Sequence, residues 1–211
     1  MKPYKQRTGV VDRKPVLDRI EGIHPHKMII YLTISVSCIL YAFISFLFIR
    51  YLAHELNGNY EFALPKFFTI GTLILTISGL FTSRLLKAYK NDEITLLRKQ
   101  LSFILISGLL FFISQTVAWI ELLKNDPAME STKITTYLVI FSGIHLAFIF
   151  AGMIMTAMLF YKYMLIENDP VKTLIAVTSP IEKVRLEIFI TFWNFNLFSW
   201  ALIFLMFLFI F

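Results

Sequence analysis

The sequence predicts an all-α fold: a polytopic membrane protein that is a bundle of five transmembrane helices. Of its 211 residues 57% are hydrophobic, and the mean hydropathy is +0.71, whereas a soluble domain is about 45–50% apolar. Apolar runs recur at the length of about 20 residues that a membrane-spanning helix needs. The basic residues lie mostly between these runs, which is typical of membrane topology. The chain therefore divides into a polar N-terminal arm, residues 1–27, and a five-span membrane domain, residues 28–211.

The arm is not expected to be a secretory signal peptide, because no apolar segment with a cleavage site precedes the first span. Five apolar runs follow, and we predict that they span the membrane: residues 28–51, 67–86, 101–123, 134–164 and 186–211. The second helix is predicted to continue into water and to turn at Asn91 and Asp92. The fourth run is longer than a bilayer requires, so we expect it to tilt or to project. Pro180 is predicted to begin the last helix.

The distribution of Lys and Arg predicts the orientation of the spans. Sixteen of the 20 basic residues lie in the arm, between the second and third spans, or before the last span, and four lie in the other two loops. Because cytoplasmic loops carry the excess of cations, we predict a cytoplasmic N-terminus and a C-terminus on the outer side. Topology thus explains the net charge of +6, and we expect no nucleic acid partner.

The last span has polar and aromatic side chains on two of its faces. After Glu187 it has no charged side chain in 24 residues. Helical periodicity puts the side chains on faces about 100° apart: Glu187, Thr191, Asn194 and Phe198 on one, and Trp193, Asn196 and Trp200 on the other. An amide that faces lipid lacks hydrogen-bond partners, so we expect both faces to pack against other protein.

His145 lies about ten residues into the fourth span, where a titratable side chain must face protein or water. Its structural interpretation is a hydrogen bond across helices, to Glu187 or to an Asn of the last span. The alternative is proton handling. A bis-histidine haem site within this chain is excluded, because no other span has a His at similar depth.

No pattern in the sequence predicts a catalytic, cofactor-binding or metal site on this chain. His24 and His26 flank a proline and share one side of an extended chain, but two ligands do not complete a metal site. The one cysteine, Cys38, lies in an apolar run and is expected to pack there. The glycines of the spans, including Gly143 and Gly152, are expected to allow close helix contacts.

The last helix resembles the closing helix of subunit III of the haem–copper oxidases. That family has a Glu, a Trp six residues later in a Tyr-Trp-His-Phe run, and a second Trp seven residues further on. Glu187, Trp193 and Trp200 have this spacing here. The resemblance extends in order over roughly residues 28–211.

Two earlier segments carry the same resemblance. Ser142-Gly143-Ile144-His145 with Gly152 is similar to the family's Thr-Gly-Phe-His stretch and the Gly seven residues after its His. Gln115 and Trp119 match a Gln-x-x-x-Trp pair in the preceding family helix. Five spans is the short form of this family, without the two leading helices of the mitochondrial type.

Ionisable residues of the family are mostly replaced in this chain. Asn194 stands where the family has His, Leu197 where it has Asp, Phe148 where it has a second His, and Ala118 where it has Glu. Packing positions are kept while titrating ones become neutral. The resemblance therefore indicates a scaffold better than a proton conductor.

The resemblance implies a non-catalytic subunit III of a bacterial respiratory haem–copper terminal oxidase, in the inner (plasma) membrane with its C-terminus in the periplasm. Such an oxidoreductase complex couples oxygen reduction to proton pumping in aerobic electron transport. Its haems and copper lie in subunits I and II, so no cofactor is expected on this chain. Subunit III packs on subunit I, contacts subunit II and other oxidase subunits, and binds phospholipid. A respiratory supercomplex is a further possible partner.

Two alternatives fit the bare residues: a membrane scaffold or assembly protein unrelated to oxidases, and a small transporter. A transporter often has broken helices or internal repeats, and the spans contain no proline and no convincing repeat. Under each interpretation as a scaffold, the same residues are expected at packing and interface positions: Gln115, Trp119, Gly143, His145, Gly152, Glu187, Trp193, Asn194 and Trp200.

Overall fold

A computed structural model describes residues 25–55, 65–125 and 133–210 of the chain. Its elements there are six helices: α1 Pro25–Glu55, α2 Lys66–Lys90, α3 Ile94–Asn125, α4 Lys133–Ile166, α5 Pro170–Thr178 and α6 Pro180–Ile210. All but the short α5 are long and apolar enough to cross a membrane. The predicted all-α fold is thus confirmed, and five of its helices have the length and composition to span a membrane, as in a multi-pass membrane protein.

The helices extend beyond the predicted spans. The first begins at Pro25, three residues inside the predicted arm, and the last begins at Pro180 as predicted. The rest of the arm, including His24, lies outside the described residues. Polar first and last turns do not end a helix, because their backbone bonds are made within the helix, whereas hydropathy marks only the part that lipid surrounds.

α2 and α3 form an antiparallel hairpin. α2 continues to Lys90, and Asn91 and Asp92 make the turn, so the predicted continuation of the helix and the turn are confirmed. Asp92 has a φ of 59°, in the left-handed region that Asp tolerates better than most residues. Along the pair, Phe81 and Phe103 stack with ring centroids 3.9 Å apart.

α4 and α6 lie at the centre of the bundle and α1 at its edge. α6 packs against α2, α4 and α1, and α4 packs against α3, α6 and α1. In the most apolar 18-residue stretch of α1 only 11% of the residues are buried, compared with 44% in that of α4. Most of α1 therefore offers its side chains to lipid or to a partner.

Ion pairs join the helices at the end of the bundle where α4 ends and α6 begins, which we call the α5 end. Arg98 on α3 pairs with Glu167 at 2.5 Å, and the buried Glu182 pairs with Lys162 at 2.5 Å and Arg185 at 2.8 Å. These bridges connect α3, α4 and α6 at a level where the cations are still partly exposed, so their desolvation is incomplete.

The helix α5 lies between the fourth and last predicted spans, in a segment for which no helix is predicted from the sequence. Asp169 caps it by accepting hydrogen bonds of 3.1 Å from the backbone N–H groups of Val171 and Lys172. The pKa of Asp169 is lowered, mainly by the hydrogen bond from the backbone N–H of Lys172 and next by the bond from the Lys172 side chain. Pro170 at the first helical position suits this start.

Candidate functional site

The two polar faces of α6 have different surroundings. On the tryptophan face, Trp193, Asn196 and Trp200 are buried within the bundle. On the Asn194 face, Glu187 and Thr191 are half-buried, Asn194 is exposed and Phe198 is 64% exposed. The prediction that both faces pack against protein is therefore confirmed for the first and stays a prediction for the second.

Trp193 fills a pocket between three other helices. A Cβ atom at Gly152 of α4 would lie 3.1 Å from two carbons of its ring, and one at Gly108 of α3 would lie 3.4 Å from a third. On α2, Ser78 Oγ accepts a hydrogen bond of 3.0 Å from Trp193 Nε1. Because a side chain at Gly152 would crowd the indole, the expectation that this glycine permits a close contact is confirmed.

All three tryptophans of the chain donate their indole N–H to a hydroxyl on another helix. The acceptors are Ser142 for Trp119 at 2.9 Å, Ser78 for Trp193 at 3.0 Å, and Thr72 for Trp200 at 2.9 Å.

Each of these hydroxyls in turn donates to a carbonyl of its own helix, at Leu138, Leu75 and Phe68 respectively. A hydroxyl has one donor and two acceptor lone pairs, so it can serve both bonds. These relays satisfy the indole donors without a charged group.

His145 lies in an aromatic environment at the level of Trp200. Its ring is fully buried, stacks on Trp200 with centroids 4.9 Å apart, and meets Phe111 edge-on at 5.8 Å. Neither ring nitrogen has a hydrogen-bond partner among the described residues. A neutral imidazole suits such a place, because a charge there would have no compensating group.

The predicted polar link between His145 and the last span is wrong. Glu187 instead forms an ion pair with Lys27 of α1 and lies 3.9 Å from Lys183. Asn196 donates to the carbonyl of Phe192 within its own helix. The physical reason is depth: Glu187 lies at the partly exposed α5 end, where a cation can reach it without the cost of full burial.

Gln115, Trp119 and Gly143 lie where α3 meets its neighbours. Gln115 is fully buried, and neither end of its amide has a partner among the described residues. Its Nε2 atom lies 3.0 Å from the position a Cβ would take at Gly71 of α2. A Cβ at Gly143 would lie 3.9 Å from Trp119, an ordinary contact. No close contact therefore requires a glycine at this position, contrary to the expectation.

The Asn194 face borders two cavities beside α1. One, of about 330 Å³, is lined by α1, α2 and α6 and includes Lys27, Glu187 and Thr191. The other, of about 270 Å³, lies between α1 and α6 and includes Cys38 and Phe198. The face is thus a strip of α6 that the described helices leave uncovered, with space along both ends.

Residues that sequence reasoning missed are the small and hydroxylated partners: Thr72, Ser78, Gly108 and Lys27. An indole N–H in lipid needs an acceptor, and this requirement was a usable signal for hydroxyls in α2. Lys27 lies in the polar arm of the sequence, 160 residues before Glu187, and no local pattern links the two.

Within the described ranges no three His, Cys, Asp or Glu side chains are grouped as metal ligands. No family model and no curated protein matches the chain. What the geometry offers is therefore a core closed by aromatic and hydroxyl contacts, and one uncovered strip with an amide in the middle of a membrane span.

Proposed function

We propose that the chain is a non-catalytic, subunit III-like component of a bacterial haem–copper terminal oxidase, which docks on subunit I and stabilises it. The sequence resemblance in Glu187, Trp193 and Trp200 suggests the family. The structural support is of a different kind, since it concerns which of the resembling residues pack inside the chain and which remain available to a partner.

The observation that carries the scaffold role is the exposure of Asn194. Its amide lies at the middle of α6, on a surface that lipid would otherwise cover. A polar side chain in the hydrocarbon region is favourable only with a hydrogen-bond partner. A neighbouring transmembrane helix that supplies a hydrogen-bond partner for Asn194 would cover the Asn194 face. In this proposal that helix belongs to subunit I.

The other resembling residues support packing in preference to proton transfer. Trp193, Trp200 and Gly152 close the core, and His145 stacks on an indole without any polar partner among the described residues. A proton path needs a chain of groups that exchange protons. In this proposal the haems and copper belong to partner subunits, and this chain contributes contacts.

The proposal also covers the orientation of the chain in the inner membrane and the lipid that it binds there. The cation distribution suggests an N-terminus in the cytoplasm and a C-terminus in the periplasm. Phospholipid would occupy the space between α1 and α6, where the cavity of about 270 Å³ is lined mostly by apolar side chains. The polar cavity with Lys27 and Glu187 would take its headgroup or that of a second lipid.

The test is purification of the tagged chain from its native membranes in mild detergent. We expect haem-containing partners, a reduced-minus-oxidised spectrum of cytochromes, and oxygen consumption by the isolated complex. A complex that has no haem absorption and consumes no oxygen would show that the chain is an unrelated membrane scaffold. Solute uptake by vesicles containing the chain alone would instead indicate a transporter.

Two variants make the docking site part of the same test. Asn194→Leu keeps an apolar helix but removes the amide, and should lower the yield of haem protein that co-purifies. Val139→Leu, an exposed position on α4, is the matched control and should leave the yield unchanged. If Asn194→Leu instead abolishes oxygen reduction in a fully assembled complex, the scaffold role is wrong.

A further inference from the structure

The short helix α5 is held at one end of the bundle by its two connections. Residues 167–169 link it to the end of α4, and Ser179 alone links it to α6. α4 and α6 pack against each other, so their joined ends lie at one end of the bundle. At 1.5 Å per residue, a nine-residue helix is about 14 Å long, so α5 cannot leave that end.

One side of α5 is fixed to the bundle. Tyr89 of α2 donates from its hydroxyl to the carbonyls of Ala176 and Ser179, both at 3.0 Å. Thr173 donates to the carbonyl of Ile166 at 2.9 Å, and Val177 packs on the core. These contacts set the rotation of the helix about its axis.

The opposite side of α5 is exposed and apolar except for Thr178, whose hydroxyl donates to the carbonyl of Leu174 within the helix. Val171, Leu174 and Ile175 are 67%, 63% and 63% exposed. By helical periodicity they form one stripe about 100° wide, roughly opposite Thr173, Ala176 and Val177. Since the bundle side is fixed, this stripe cannot turn inward to bury itself.

Apolar side chains are also exposed at the ends of α4 and α6 that adjoin α5. Leu165, in the last turn of α4, is 56% exposed, and Ile181, in the first turn of α6, is 54% exposed. Both belong to helices long and apolar enough to cross a membrane. Exposed apolar side chains therefore run from α4 through α5 to α6 without a polar segment of more than a few residues.

We propose that α5 is an interfacial helix whose Val171, Leu174 and Ile175 side chains enter the bilayer at the level where acyl chains meet headgroups. An amphipathic helix at this level buries its apolar side to a depth of about 5–10 Å. Lys172, at the edge of the stripe, pairs with Asp169 at 3.1 Å but is 63% exposed, so its ammonium group is also placed to contact phosphate groups. The occupant of this surface is thus lipid, and neither a second copy of the chain nor a soluble protein.

The experiment places a nitroxide spin label at single cysteines in the full chain, in a Cys38→Ser background, reconstituted in phosphatidylethanolamine–phosphatidylglycerol vesicles. Leu174→Cys is the test position. Met158→Cys, exposed within α4, is the lipid reference, and Asn91→Cys, in the α2–α3 turn, is the water reference. Relaxation by oxygen, which concentrates in lipid, is compared with relaxation by a water-soluble nickel chelate.

We expect the label at residue 174 to respond to oxygen more than to nickel, as at residue 158, and labels at residues 171 and 175 to do the same. A nickel response equal to that at residue 91 would place the stripe in water and overturn the proposal. Protection from both reagents would show that protein covers the stripe, which overturns it as well. A label on Val171 or Ile175 that agrees with residue 174 guards against a local effect of any one substitution.

Discussion

Asn194 and Asn196 are two residues apart on the same helix, yet one is exposed and the other is fully buried. Their side chains have the same chemistry, so polarity does not decide which one enters the core. The difference lies in the neighbours, because α2, α3 and α4 offer a pocket with two glycines and two hydroxyls to the tryptophan face. No described helix offers such a pocket to the Asn194 face. In a membrane protein, where apolar burial drives association weakly, the shape of the receiving surface selects the face.

The largest effect that would test this comparison is loss of the Trp193 ring. Trp193→Ala empties a fully buried pocket and removes the hydrogen bond to Ser78, so we expect a loss of about 3–5 kcal/mol in the free energy of unfolding. The measurement is an SDS titration followed by circular dichroism. Phe198→Ala, an aromatic truncation on the Asn194 face, is the control. Equal losses from the two variants would mean that the faces do not differ.

The two asparagines should separate stability from association. Asn196→Leu removes the bond to the carbonyl of Phe192 and crowds the core, so the unfolding free energy of the isolated chain should fall. Asn194→Leu should leave that free energy unchanged and weaken binding to the partner by about 1–2 kcal/mol. Co-purification at graded detergent concentrations measures the second quantity. A drop in chain stability for Asn194→Leu would contradict the assignment of this face to a partner.

The two glycines of α4 give a smaller contrast. Gly152→Ala puts a methyl group 3.1 Å from the Trp193 ring, which has no free direction in which to move, so we expect a loss of about 1 kcal/mol. Gly143→Ala meets Trp119 at 3.9 Å and gains helix propensity, so it should be neutral or slightly stabilising. The same titration measures both variants, and a stable Gly152→Ala would show that the pocket is looser than its distances indicate.

The smallest effect is expected at the edge of the Asn194 face. Glu187→Gln breaks the ion pair with Lys27, in which both side chains are partly exposed, and such pairs contribute about 0–1 kcal/mol. The difference from wild type should shrink as salt is raised, because exposed charges are screened. Thermal unfolding at low and high ionic strength provides the comparison, and a large loss that salt does not alter would place Glu187 in the core.

The sequence was enough to predict the helices, because length and hydropathy determine what can cross a bilayer. It also predicted the turn at Asn91 and Asp92 and the start at Pro180, where local chemistry decides. The short α5 was missed, although Asp169 followed by Pro170 has the pattern of a helix start. Nine residues between two long spans gave no hydropathy signal of their own.

Periodicity predicted the two faces of α6 but not which of them is buried within the chain. Which face is buried depends on Gly108 and Gly152, more than 40 residues away in the chain, and their relation to Trp193 exists only after folding. The partner of His145 was predicted wrongly for a similar reason. A polar residue in a span suggests a polar partner, whereas the folded bundle surrounds this one with Phe111 and Trp200.

The hydroxyls that receive the indoles also bear on the order in which the bundle is built. Ser78 and Thr72 precede Trp193 and Trp200 by 115 and 128 residues, so α2 is synthesised before α6. In the folded chain each of these hydroxyls donates its proton to a carbonyl of α2. Only an acceptor lone pair of each hydroxyl is used by α6. Because both bonds to carbonyls lie within α2, they need only that helix and can form before α6 is made. For Trp193 and Trp200 the later helix α6 brings the donors and α2 provides the acceptors, whereas in the pair of Trp119 with Ser142 the donor precedes the acceptor in the chain.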